Sequence, residues 1–230
     1  MPSLYDISPP ISPSLKVWPG DTAPSREILL DTANGDTITL STLRTTVHAG
    51  AHADGPNHYG PMPDGTPAPS IDEMPLEHYL GPCIVIDADV ARGVRVTMKD
   101  LDIDLGAVDL PGRVLIRTGT FPDPTMFNED FAALAPELVE AFAERGVITI
   151  GIDTPSVDLF DSKDLPAHKA FLRTGVAILE GLILAGVPSS GASPGETGDG
   201  GGNTQFDLIA LPLKLAGFDG SPVRAVLRSL

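Results

Sequence analysis

Short apolar runs, each closed off by turn-forming residues, limit what this chain can become. CIVIDADV at 83–90, RVLIRTG at 113–119 and VITIGID at 147–153 read as buried strands, because β-branched residues suit a pleated surface and turn signals bound each run. TITLSTLRTTV at 37–47 reads as a further strand, and FDLIALPLKL and SPVRAVLRSL close the chain as two more. Helical signals are sparse. Apolar residues recur at helical spacing from Asn128 to Arg145, with Asn128 as N-cap, Gly146 as stop and Pro136 as a point of division. A short helix fits Pro166 to Thr174, opened by proline and ended by Gly175. Many strands with few helices predict an α/β chain, one domain over 1–230 with a mixed, largely β core and few flanking helices. PSSGASPGETGDGGGN at 188–203 is Gly/Ser-rich and acidic, and is expected to be a flexible surface insertion.

Charge narrows the partners. Fifteen Lys and Arg stand against 31 Asp and Glu, a formal net charge of −16. Neither nucleic acid nor an anionic membrane surface suits such a chain, since both recruit basic residues. No run approaches the roughly 18–20 apolar residues that span a bilayer. The opening MPSLYDISPPISPS lacks the basic start and apolar core of a secretory signal, and the single cysteine, Cys83, cannot form an internal disulfide. A cytoplasmic protein is expected.

Residues 48–58 read HAGAHADGPNH and hold three of the five histidines. His48, His52, Asp54 and His58 are all even-numbered, so an extended chain presents them on one face. Gly50, Gly55 and Pro56 argue against a regular helix here. Imidazole and carboxylate are the usual ligands of Zn²⁺ and similar metals, and four such groups in phase point to a metal site rather than to scattered surface histidines. One segment does not complete a site. His78, in PLEHYLGP, reads as structural; His168 lies in the short predicted helix. Glu180 is the only charge in VAILEGLIL, and a buried carboxylate there must be paired or metal-bound.

HAGAHADGPNH closely resembles the H-x-G-T-H-x-D-x-P-x-H signature of the cyclase-like metal-dependent hydrolases, and the whole chain is similar to their bacterial kynurenine formamidase branch. VWPGD at 17–21, EHYLGPC at 77–83, GIDTPSVD at 151–158, AILEGL at 177–182 and LIALPLKL at 208–215 fit that branch. The resemblance implies a swivelling β/α/β fold. It implies that His48, His52 and Asp54 bind one divalent metal and that Asp54, His168 and Glu180 bind a second, with Asp54 bridging; Zn²⁺ is the expected ion, with Mn²⁺ the alternative. It further implies that His58 exchanges the proton, that Trp18 contacts an aromatic substrate, and that the protein is a homodimer. The expected reaction is hydrolysis of N-formyl-L-kynurenine to L-kynurenine and formate in tryptophan degradation. Position 51 carries Ala where the family usually has Thr, and Gly55 and Asn57 occupy variable motif positions, which leaves the substrate open.

Other readings compete with this one. An isatin-hydrolase-like amide or lactam hydrolase would use the same ligands, as would a metal-binding structural protein, although the latter needs no His58. Residues 191–195, GASPG, match the G-x-S-x-G pattern of serine hydrolases, but the following PGETGDGGG does not supply the helix that a nucleophile elbow needs. Trp18 could equally anchor the N-terminal segment. Cys83, opening an apolar run, is expected to be buried and unreactive.

Overall fold

The computed structural model describes residues 2–106, 108–190 and 205–230. Its strands are β1 (Leu4–Asp6), β2 (Ser25–Leu30), β3 (Leu40–Arg44), β4 (His52–Asp54), β5 (Leu80–Asp87), β6 (Arg95–Val96), β7 (Arg113–Arg117), β8 (Ala133–Leu134), β9 (Thr149–Ile152), β10 (Ala177–Glu180), β11 (Phe206–Ile209), β12 (Gly220–Pro222) and β13 (Val226–Ser229). Two α-helices are present among the described residues, α1 (Pro136–Glu144) and α2 (Pro166–Thr174). Among the described residues nine strands form one sheet in the order β1-β13-β11-β5-β7-β9-β10-β4-β12. Its centre, β5-β7-β9-β10, is parallel, and antiparallel strands extend it on both sides. The chain is therefore mixed α/β with a largely β core, as its alternation of strong strands and few helices predicts.

The central strands are continuous apolar runs because both faces are covered. Alternate residues feed two cores: Ile84, Ile86, Val114 and Ile116 pack with Phe142 of α1 and Phe171 of α2, whereas Val85 and Leu115 pack with Phe206, Leu208 and Leu227 on the other face. Cys83 is fully buried in the second core, and burial pushes its thiol well above the usual range.

Several boundaries differ from the sequence reading. The helix expected over 128–145 occupies only Pro136–Glu144. Ala135, before proline, sits in the extended region (φ −75°, ψ 137°), and Pro136 opens the first turn rather than splitting a longer helix. Asn128 caps nothing; its side-chain amide donates to Thr120 O at 3.0 Å and to Asp130 at 2.8 Å. The 37–47 strand shortens to β3, which among the described residues pairs only with β2, a strand in the proline-rich beginning that the sequence does not predict. Every residue of that ribbon is exposed, so it stands apart from the main sheet. FDLIALPLKL keeps its strand only as far as Ile209, and SPVRAVLRSL divides into β12 and β13. Most of the 188–203 segment, including GASPG, lies outside the described residues. No helix among the described residues is long and apolar enough to cross a membrane.

Candidate metal centre

The site sits where β4 joins the open side of β10. Antiparallel register sets Glu180 opposite His52 and Leu179 opposite Ala53, so His52, Asp54 and Glu180 point to one side as period-two spacing requires. Gly50, at φ +63°, bends the chain before β4 and brings His48 to the same side. Helix α2 supplies His168. Pro56–His58 forms a single 3-10 turn that places His58 at the edge, 36% exposed at its side chain.

Five of the predicted residues converge. The ligand atoms of His48, His52 and Asp54 lie within 4.8 Å of one another, as do those of Asp54, His168 and Glu180; Asp54 belongs to both groups. His48 Nδ1 is 3.0 Å from Asp54 Oδ1, and His52 Nε2 is 3.1 Å from Glu180 Oε2. His168 Nε2 lies 3.6 Å from Asp54 Oδ2 and 3.6 Å from Glu180 Oε1. All but His48 are buried.

This donor set fits divalent cations. Asp54 Oδ2 is buried with no hydrogen-bond partner among the described residues, a costly arrangement that a cation would relieve. The imidazoles are already turned for ligation. His52 Nδ1 donates to Gly50 O at 2.8 Å and His168 Nδ1 to Asp158 at 2.8 Å, which leaves each Nε2 lone pair facing the carboxylates. Without a cation the site holds protons instead. Burial opposes a charged ring at both histidines but is outweighed: contacts with Asp54, Asp219 and Glu180 push His48 up to about 9, and those with Asp158, Asp54 and Glu180 push His168 up to about 10. Burial likewise opposes ionisation of Asp54, yet the neighbouring imidazoles hold it well below the usual carboxylate range.

Two supporting carboxylates escaped the sequence reading. Asp158 accepts from the backbone N–H of Ala167 (3.2 Å) and His168 (3.0 Å), capping α2 while it orients the His168 ring, and is itself held by Arg95 at 2.7 Å. Asp158 closes the GIDTPSVD motif, the one local signal that could have found it. Asp219 lies 3.1 Å from His48 Nε2 and 3.4 Å from His58 Nδ1, and these three form a further candidate ligand group. It arrives because β12 pairs with β4, Gly220 opposite Asp54, a relationship across 166 residues that no local pattern announces. The His58 ring lies over that of His48 with centroids 4.2 Å apart. His78 is structural, as expected: its Nδ1 meets Ile148 O at 2.8 Å.

Above this floor a cavity of about 300 Å³ opens, large enough for a small aromatic molecule. Trp18 lines it and also packs on Phe160 (centroids 5.0 Å apart) and Phe127 (5.7 Å). It is thus an anchor and a wall at once.

Comparisons with known proteins agree with this geometry. Residues 5–159 match the model of the family described as "Putative cyclase". A structure described as "The Structure Of Potential Metal-Dependent Hydrolase With Cyclase Activity" is 26% identical, with a TM-score of 0.75 over 100% of this chain and 99% of that one. A predicted metal-dependent hydrolase from Bacillus stearothermophilus is 25% identical (TM-score 0.73; 99% and 98% covered). Isatin hydrolase A from Labrenzia aggregata, bound to benzyl benzoate, shares the fold at 23% identity (TM-score 0.78; 99% and 93% covered).

Proposed function

The chain belongs to the cyclase family, and from that premise we propose that it is a metal-dependent amidohydrolase that converts N-formyl-L-kynurenine to L-kynurenine and formate. One observation carries the reading: two groups of His and carboxylate ligands share buried Asp54, whose Oδ2 has no hydrogen-bond partner among the described residues, and His48, His52, His168 and Glu180 line a cavity walled by Trp18. The similarity to metal-dependent hydrolases supports the reaction class. In this reading His48, His52 and Asp54 hold one cation, Asp54, His168 and Glu180 the other, and Zn²⁺ or Mn²⁺ suits the donors. When bound, such cations lower the pKa of water and polarise a carbonyl oxygen.

The remaining work falls to the chain. Asp158 and the Gly50 carbonyl fix the His168 and His52 rings, so the donors need little reorganisation. His58 takes a proton from the attacking water and returns it to the departing aniline nitrogen. Its accessible edge faces the cavity, and the Asp219 carboxylate 3.4 Å away steadies the ring. Trp18 offers its face to the substrate ring. The exposed β2–β3 ribbon, with Ile28, Leu40 and Leu43 among its apolar side chains, supplies the surface that a homodimer needs.

The alternative is hydrolysis of a lactam such as isatin, which the isatin hydrolase fold match favours. Turnover of N-formyl-L-kynurenine and isatin measured side by side on metal-loaded protein separates the two. The proposal expects the formamide to win in kcat/KM; preference for isatin would replace it with the lactam reading.

A further inference from the structure

The cavity contains charges that the reaction above does not use. Beyond the histidines and Glu180 at its floor, three charged residues line it: Lys16, Asp21 and Asp153. Asp153 is already engaged by the chain. Its carboxylate accepts from the Thr118 N–H at 3.0 Å, the Gly119 N–H at 2.8 Å and the Thr118 hydroxyl at 2.8 Å. Lys16 and Asp21 differ. Neither makes an ion pair, with the other or with any other described residue, although they lie only five positions apart. Their backbone is nonetheless held: Lys16 N–H donates to Pro124 O at 2.9 Å, Asp21 N–H donates to Trp18 O at 3.0 Å, and Asp21 Oδ1 accepts from Thr22 N–H at 2.6 Å. Lys16 and Asp21 thus flank Trp18 in sequence, on backbone that is anchored at both positions, and all three line one cavity whose walls are mainly apolar.

Opposite charges that share a cavity without pairing suit a ligand that carries both charges itself. We propose that Lys16 and Asp21 bind the carboxylate and the ammonium of a zwitterionic aromatic amino acid whose ring lies along Trp18. This inference rests on the proposed function and assigns within it the residues that recognise the amino-acid group: a formamide bearing that group is selected over a neutral aryl amide or lactam, which offers neither charge. Because both residues are exposed, water and salt screen them, so they act on selectivity more than on raw affinity.

Trp18 is the only tryptophan in the chain, so its fluorescence reports occupancy of the cavity without any turnover. The test titrates the holoenzyme with L-kynurenine and with 2-aminoacetophenone, which has the same aminoaryl ketone but no amino-acid group. The wild type is expected to favour L-kynurenine by roughly three- to thirtyfold, the product of two screened charge contacts. Lys16→Gln and Asp21→Asn, the latter keeping an oxygen for Thr22, each narrow that ratio, and together they bring it to about one; 0.5 M NaCl narrows it in the wild type as well. Equal binding of the two ligands, a ratio that survives the double substitution, or no response to either ligand overturns the assignment. Charge-dependent binding without hydrolysis of N-formyl-L-kynurenine leaves the clamp standing and sinks the formamidase reading. Hydrolysis with a ratio of one does the reverse.

Discussion

Glu180 and His52 face each other across the β10–β4 pairing, with Oε2 and Nε2 3.1 Å apart. What permits this approach is the next residue. Gly181 has φ +66°, and a Cβ there would stand 2.2 Å from the Gly50 carbonyl oxygen, the same oxygen that accepts from His52 Nδ1. Gly181→Ala therefore strains the backbone and displaces the group that orients His52. A loss of about 1–3 kcal/mol in urea unfolding is expected, accompanied by weaker metal binding. Wild-type stability and metal affinity in this variant would refute the close-packing argument.

Asp158 acts through His168. Asp158→Asn keeps the volume but removes the charge that fixes the imidazole and pairs with Arg95. Metal affinity should fall about 10- to 100-fold, measured by competition with a chelator, because the partners of ligating histidines tune them strongly. Unchanged affinity would show that the contact serves only to cap α2.

His58 stands apart from the two groups that share Asp54. His58→Ala is expected to retain full metal content while turnover falls by about 10²- to 10⁴-fold, the usual worth of a positioned proton-transfer group. Metal loss in step with activity would instead make His58 a ligand, alongside Asp219 and His48.

The metal-free protein should be most stable in mildly acidic solution. His48 and His168 have folded values of about 9 and about 10 against an ordinary 6.5, so the folded chain holds more protons than the unfolded one above pH 6.5, and stability falls as pH rises through 9–10. Asp54 works in the opposite direction. Its depressed value gives stability that is present above the ordinary carboxylate range and lost as pH falls through its folded value. Denaturant midpoints of chelated protein from pH 4 to 10 should trace this dome. A flat profile from pH 6.5 to 10 would contradict the ion-pair cluster.

The β2–β3 ribbon exposes Leu43 at 60% and Ile28 at 50%. If a second copy covers them, replacing both with lysine should convert a dimer to a monomer in sedimentation equilibrium. A monomeric wild type would remove the dimer from the proposal.

What could be read from the residues was local. Period-two spacing put His52 and Asp54 on one face, the apolar setting of Glu180 marked a charge that needed a partner, and Pro166 and Gly175 marked the two ends of α2. Of the ribbon, β2 was missed because it follows proline-rich sequence and buries nothing, so it has no hydrophobic alternation to betray it. The 128–145 helix was overextended because apolar spacing alone does not show that the residue before proline is forced out of the helical region. Asp219 lay beyond reach for a different reason: only the β12–β4 pairing brings it to His48, and strand pairing at that separation leaves no mark in a single sequence.

The central claim is that the cluster around Asp54 is a metal site that hydrolyses an aryl formamide. The most direct measurement is kynurenine release from N-formyl-L-kynurenine by protein stripped with a chelator and then resupplied with Zn²⁺ or Mn²⁺. The account predicts that release is lost on stripping and returns with the metal. Release that persists in protein verified to be metal-free, or that fails to return in protein verified to be metal-loaded, would contradict it.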